Sequence, residues 1–314
     1  MDIKTSLIVD PIALVDIQDN SWTINKTKDA LLITNNKQID LTEDFKGADA
    51  FYNKLIDIGI RIATPSQYAV FVTQMCFDDE ERDCNPNVFV VNGVIDSGYR
   101  GIVKALIYHH SFTKTINAHS LKLKLPLLKL SNDLIPIAPN LHSLSKPTFE
   151  NFLYDFYSIF NKKRDEDAGY DISSPQTIQI EPGYSYFVTI PIFQLDMENP
   201  PIACIFGRSS MNLKGLIVLP TIWKPRTRCQ FFIKNVTRQP IVLKEGQRIA
   251  QLVLIDNTQS VWLQPQINCY SLFPKTSNSS LIEQSYSMWR FTKNFNIEAP
   301  NSLRGANGFG STGI

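Results

Sequence analysis

At 314 residues, with 43% hydrophobic residues and a formal net charge of +1, the chain is long enough for two domains with real cores. It carries no broad surface charge with which to hold a nucleic-acid duplex or an acidic membrane, although a small anionic ligand needs only local positive charge. Met1 to Asp10 lacks a basic leader followed by a long apolar core, and no later stretch has the length of a membrane span, so an intracellular protein is expected. The cysteines (Cys76, Cys84, Cys204, Cys229, Cys269) form no Cys-x-x-Cys pair, which fits reduced thiols and implies neither zinc nor a disulfide.

In chain order, an apolar stripe from Phe45 to Ile58 reads as a helix. Ile60 to Thr73 reads as strand, turn, strand, and the run Asp78-Asp-Glu-Glu-Arg-Asp83 as a solvated hairpin tip rather than a metal site. Val88 to Val91 and Ile102 to Tyr108 flank Gly93-Val-Ile-Asp-Ser-Gly-Tyr-Arg-Gly101, which predicts a β-hairpin with the carboxylate of Asp96 at its bend, a candidate base. The adjacent His109 and His110 face opposite sides of a strand and form no two-ligand site together.

A connector containing Pro and Ser, Ser131 to Asp167, carries a predicted helix over Thr148 to Asn161, where Phe149, Phe152, Leu153, Phe156, Ile159 and Phe160 follow helical spacing and Thr148 is the N-cap. Ile178 to Thr189 then repeats the pattern of Ile60 to Thr73. Pro220 to Asn235 matches 93–109, with the acid-bearing turn replaced by Trp223-Lys-Pro-Arg-Thr-Arg228. The polar stretch Asn268 to Glu298 reads as an arm. The tail Arg304 to Ile314 has no apolar periodicity, and its glycines, hydroxyls and Arg304 suit a clasp for phosphate oxygens.

Five segments of this series resemble the motifs of the dUTPase family. Gly93-Val-Ile-Asp-Ser-Gly-Tyr-Arg-Gly101 looks like the catalytic-acid motif; the others are Ala168-Gly-Tyr-Asp171, Gly207-Arg-Ser-Ser210, Gly246-Gln-Arg-Ile-Ala-Gln-Leu252 and Gly308-Phe-Gly-Ser-Thr-Gly313. In the common homotrimeric members the acid hairpin lies between the Arg-Ser motif and the Gly-x-Arg-Ile-Ala-Gln motif, whereas here it precedes the rest. That order resembles the monomeric, double-length dUTPases of herpesviruses. Each half keeps different motifs, so such a chain builds one complete site from both.

With the short strands rich in Val, Ile, Phe and Tyr, the implied fold class is mainly β: two dUTPase-like β-barrel or jelly-roll domains from a pseudo-duplication, with a few short helices. The expected organisation is an N-terminal β domain (1–130) with the acid hairpin, an interdomain connector with a helix (131–165), a C-terminal β domain (166–267) with the phosphate motifs, and an arm ending in a Gly-rich lid (268–314).

The resemblance implies Mg2+-assisted hydrolysis of dUTP to dUMP and pyrophosphate, which limits uracil incorporation into DNA and supplies dUMP. Asp96 is the implied base for water attacking the α-phosphorus. Gly93 and Lys104 mark the backbone that reads the uracil edge, and Tyr99 presses on the deoxyribose so that a 2′-hydroxyl has no room. Arg208, Ser209, Ser210 and Gln251 are the implied phosphate contacts, and Asp171 holds the magnesium through its water ligands. Arg304 closes the site with Phe309, which stacks on the uracil ring, while Gly310, Ser311, Thr312 and Gly313 wrap the γ-phosphate. The expected protein is a monomer with one site per chain, with dUTP as its partner, no nucleic acid and no membrane, in the host cytoplasm or nucleus if viral.

Two positions depart from the family pattern: Gln247 where an acid is common, and Gly98 in a turn that often carries an acid at its second position. Two other readings stay open. One is a degenerate dUTPase-like protein kept to bind a host partner; the other is dCTP deaminase chemistry on the same fold. Pyrophosphate from dUTP, ammonia from dCTP, or silence would separate the three.

Overall fold

The computed structural model describes residues 13–42, 51–75, 87–110, 112–140, 155–257 and 288–306. The acidic run 78–83, the first half of the expected connector helix, most of the arm, and Phe309 to Gly313 lie outside the described residues.

The first half of the chain contributes β1 (Ala13–Ile17), β2 (Trp22–Lys26), β3 (Ala30–Asn35), β4 (Ile39–Asp40), β5 (Phe51–Ala63), β6 (Tyr68–Gln74), β7 (Val88–Val91), β8 (Gly93–Ile95), β9 (Ile102–His110), β10 (Thr115–Ile116) and β11 (Lys122–Lys129). The second contributes β12 (Ile137–Ala138), β13 (Phe160–Asn161), β14 (Tyr170–Ser173), β15 (Ile178–Ile180), β16 (Ser185–Gln194), β17 (Ile202–Gly207), β18 (Leu216–Val218), β19 (Thr221–Trp223), β20 (Arg228–Asn235), β21 (Ile241–Leu243) and β22 (Arg248–Ile255). A last strand, β23 (Trp289–Phe291), and three short helices, α1 (Phe156–Ile159), α2 (Ser209–Leu213) and α3 (Phe295–Glu298), complete the described elements.

The duplication is written in the pairing. The first half forms sheets β1-β5-β9-β7, β2-β3-β11-β6-β8 and β4-β10; the second forms β12-β16-β20-β18, β13-β14-β22-β17-β19 and β15-β21. Every pair in the first half recurs in the second with each index raised by eleven, so β1-β5 becomes β12-β16 and β6-β8 becomes β17-β19. β23 is an addition, laid parallel on β1 with Trp289 opposite Ala13. Each half closes over its own core, one containing Ile58, Ile60, Val70 and Leu125, the other Phe160, Val188, Phe231 and Leu252.

The strands between the halves are apolar on both faces, the pattern of a doubly covered strand. On β6, Tyr68, Val70 and Val72 face the N-terminal core while Ala69 and Phe71 face the other half. On β17, Ala203 and Ile205 face inward and Cys204 and Phe206 face across. Phe71 and Phe206 meet with ring centroids 5.0 Å apart.

Three expectations need correction. The stripe Phe45 to Ile58 is no helix where it is described, because residues 51–58 belong to β5. There Ile56, Ile58, Ile60 and Ile62 are all buried at a spacing of two, and this run of β-branched side chains overrides the helical spacing. The connector helix shrinks in its described part to residues 156–159, with the carboxylate of Asp155 accepting from the Tyr157 N–H as cap; Phe160 already pairs with Ile172 in a strand.

The internal match of 60–73 with 178–189 is one element out of step. It aligns β5 and β6 with β15 and β16, whereas the topology equates β5 and β6 with β16 and β17. Two strand-turn-strand segments look alike locally, and only their partners reveal which is which. The match of 93–109 with 220–235 does equate corresponding strands, β8 and β9 with β19 and β20.

Candidate active site

The expected hairpin forms, with Val88 opposite His109 and Val91 opposite Leu106. The chain then leaves it: β8 crosses to the other sheet and pairs with β6, Gly93 opposite Val72. The turn 96–101 therefore joins the two larger sheets of the N-terminal half. Val94 and Asp96 consequently lie on the side that meets the second half.

Asp96 is buried, and its Oδ1 accepts a hydrogen bond of 2.6 Å from the backbone N–H of Ala168, at the head of β14 in the other half. Its Oδ2 pairs with the guanidinium of Arg304, which also reaches Asp167 Oδ1 at 3.1 Å. Burial lowers the Arg304 guanidinium from its ordinary value. Burial likewise raises the Asp167 carboxyl, with the neighbouring Arg164 opposing.

Arg208 precedes α2 and is buried, with its Nε 2.7 Å from Asp171 Oδ1 and its Nη1 donating to the Arg248 carbonyl at 3.2 Å. Arg248 Nη1 takes the other Asp171 oxygen at 3.1 Å. Asp171 thus sits between two guanidinium groups, and the trio keeps a net positive charge facing the cleft. Burial pulls the Arg208 guanidinium down, with Asp171 opposing. Gln251 stands opposite Asp171 in the β14-β22 ladder and donates to the Gly207 carbonyl at 3.0 Å.

These groups line one cavity, in which Asp96 and Arg304 face Asp171, Arg208, Ser209, Ser210 and Gln251. A second cavity shares Asp96, Ser209 and Arg304 with the first and extends over Gly93, Tyr99 and Lys104. Tyr99 is nearly buried and donates from its hydroxyl to the Ile102 carbonyl at 2.7 Å. The Lys104 ammonium is turned to Asp57 at 2.6 Å, so the expectation for this position concerns its backbone and not its charge. All the expected site residues among those described meet at these two adjoining cavities; Phe309, Gly310, Ser311, Thr312 and Gly313 lie outside the described residues.

Residues that sequence reasoning left without a role stand here too. Arg248 lies inside a quoted motif and Asp167 immediately before another. Arg100 also lies inside a quoted motif, whereas Glu166 and Ser302 carry no local signal at all.

The donor set fits a divalent ion carried by a phosphorylated ligand. Asp96, Asp167 and Asp171 line the first cavity, yet among the described residues no three His, Cys, Asp or Glu side chains converge into a metal cage. Mg2+ on nucleotides takes most of its ligands from phosphate and water, so one carboxylate beyond its water shell suffices. His109, buried in β9 and stacked on Tyr52, and His110, stacked on Phe112, point apart as expected. Among the described residues no helix is long and apolar enough to cross a membrane.

The family model for dUTPase matches residues 156–284, which include three of the quoted motifs but not the acid turn. Similarity to whole relatives extends over that turn as well. The chain is 36% identical over 325 aligned positions to the deoxyuridine 5'-triphosphate nucleotidohydrolase of Equine herpesvirus 4, covering 98% of each chain. It is 39% identical over 298 positions to that of Equine herpesvirus 1, covering 90% of this chain and 91% of the relative. It is 30% identical over 327 positions to that of Varicella-zoster virus (strain Oka vaccine), covering 90% and 82%. With identity of this order sustained across nearly the full length of two relatives, the chain belongs to the dUTPase family.

Proposed function

We propose that the chain hydrolyses dUTP to dUMP and pyrophosphate as a monomer with one site built from both halves. The observation that carries the reading is the hydrogen bond from Ala168 N–H to the Asp96 carboxylate. It ties the candidate base of the N-terminal domain (1–130) to a cavity whose cations are Arg208 and Arg248 of the C-terminal domain (166–267), Arg304 of the arm and Lys163 of the connector.

In this reading Asp96 orients a water and takes its proton as the oxygen attacks the α-phosphorus. With Oδ1 fixed by Ala168, the carboxylate keeps its aim when Arg304 moves from Oδ2 to the phosphate oxygens, which match its planar fork. Arg208, Ser209, Ser210 and Gln251 receive the remaining phosphate oxygens. Asp171, through water, would hold a magnesium ion, which would supply charge neutralisation along the triphosphate.

The narrower cavity takes the nucleoside. Backbone groups near Gly93 and Lys104 read the uracil edge; cytosine reverses that pattern and leaves buried groups unmatched, a mismatch worth roughly 10⁴–10⁵ in selectivity. Tyr99, held by the Ile102 carbonyl, presents its ring to the sugar. Phe309 and the glycine-rich tail complete the enclosure.

The test is pyrophosphate release from dUTP with magnesium, compared with ammonia release from dCTP. Asp96→Asn should retain affinity for a non-hydrolysable dUTP analogue while turnover falls roughly 10²–10⁴-fold, the usual share of base catalysis. An Asp96→Asn enzyme with full turnover would remove Asp96 from the mechanism. Silence of the unaltered chain toward both nucleotides would favour a binding-only role.

A further inference from the structure

The turn that carries Asp96 is gripped from two directions by segments remote in sequence. From the second half, Glu166 brings its backbone carbonyl to the Ser97 hydroxyl at 3.1 Å and its carboxylate against Gly98. From the C-terminal arm, Pro300 offers its carbonyl to the Arg100 guanidinium at 2.8 and 3.2 Å, and Gly305 offers its carbonyl to the Arg100 N–H at 2.8 Å.

Ser302 stands where the three segments meet. Its hydroxyl oxygen accepts from the N–H groups of Arg304 and Gly305 at 3.0 and 3.2 Å. Its single proton faces the Gly98 carbonyl and both Glu166 carboxylate oxygens, the latter at 3.2 and 3.1 Å. The hydroxyl therefore fixes the backbone of Arg304 to the catalytic turn.

Gly98 makes this convergence possible. A Cβ there would lie 2.2 Å from Glu166 Cδ and 2.5 and 2.6 Å from its two oxygens, too close for any side chain at 98 to coexist with the carboxylate in place. We infer that Glu166 and Ser302 are positioning residues that seat Arg304 against Asp96, with Glu166 supplying from the second domain the acid that the turn itself lacks. Neither residue belongs to the five motifs. The catalytic arm of the claim rests on the dUTPase reading above; the docking arm stands on geometry alone.

The experiment uses the full chain and reads two signals: amide exchange of the 302–306 segment without nucleotide, and kinetics with dUTP beside equilibrium binding of dUMP. Ser302→Ala and Glu166→Ala should accelerate exchange at Arg304 and Gly305 and lower kcat/KM for dUTP roughly tenfold to a hundredfold, the cost of a small misplacement of a reacting group. Affinity for dUMP and the unfolding temperature should stay as in the unaltered chain.

Gly98→Ala should produce the same loss, and Gly98→Ala combined with Glu166→Ala should be no worse than either alone, a non-additivity expected only of groups in contact. An acid moved to the turn by Gly98→Asp with Glu166→Ala should recover part of the lost turnover. Unchanged exchange in Ser302→Ala and Glu166→Ala overturns the proposal. So does strict additivity of the 98 and 166 substitutions, or a loss of dUMP binding and thermal stability equal to the loss of turnover. If the unaltered chain hydrolyses no dUTP, the reading of the site fails by itself, and the exchange rates still decide the docking.

Discussion

Tyr99 is held in place by a residue with no side chain. A Cβ at Gly101 would come within 2.6 Å of the Tyr99 hydroxyl and 2.8 Å of the ring carbon that bears it, so Gly101→Ala should push the ring from its seat. The expected result is a measurable gain in UTP hydrolysis relative to dUTP with little change in stability; unchanged sugar selectivity would show that the ring does not judge the ribose. Other buried groups act on stability. The Cys204 thiol is pushed up to about 12 by complete burial, and the Tyr108 hydroxyl is likewise raised to about 12, chiefly by burial, with Asn53 opposing. A group whose folded value is raised stabilises the fold fully below its unfolded value and loses that contribution as pH climbs through the folded one. Denaturant unfolding should therefore show stability falling between pH 9 and 12, by up to about 1.4 kcal/mol per pH unit for each such group. A flat profile there would mean that these groups are not sealed from water.

At the scale of elements, the C-terminal arm is two things in succession. Residues 289–298 belong to the body of the N-terminal half: Trp289 is 2% exposed in its core, and Phe295 is buried against Leu14 and Ala63. From Pro300 onward the arm contacts the turn that carries Asp96. Truncation after Pro300 should leave the unfolding temperature unchanged and nearly abolish dUTP turnover. A chain ended just before β23 should lose stability as well, since removing one buried aromatic from a core costs about 3–5 kcal/mol. Equal melting of the two truncated forms would argue that β23 contributes nothing to the core.

Across the whole molecule, the two halves are bound through apolar contacts and through several polar ones, among them the Ala168–Asp96 and Glu166–Ser97 hydrogen bonds. β6 and β11 lay Ala69, Phe71 and Leu128 against Cys204, Phe206, Val253 and Ile255. Beside this layer, the buried Tyr108 hydroxyl of the first half donates to the Asn212 carbonyl in α2 at 2.6 Å, bracing the helix that follows Arg208. Halves joined this way should unfold together. Phe206→Ala should lower stability by about 3–5 kcal/mol in one cooperative transition, and sedimentation should give a single chain mass. Two separate transitions would mean that the halves are independent and that the cleft between them is not fixed by packing.

Much of this was legible from residue order. The β character follows from alternation such as Ile56, Ile58, Ile60 and Ile62, although the helical look of Phe45 to Ile58 obscured it. Asp96, Arg208 and Gln251 were legible as candidate site residues because each sits in a short segment with a characteristic neighbourhood, and the three line one cavity. Local pattern records which face of a strand a side chain takes, but not which partner waits there. For that reason only the tertiary structure decided that β8 changes sheets, that Asp96 receives the Ala168 amide across 72 positions, and that Arg304 returns to it across 208. It alone decided that Glu166 and Ser302 meet at Gly98, since such contacts arise where the second half and the C-terminal arm pack on the turn, and they leave no periodic trace in the chain.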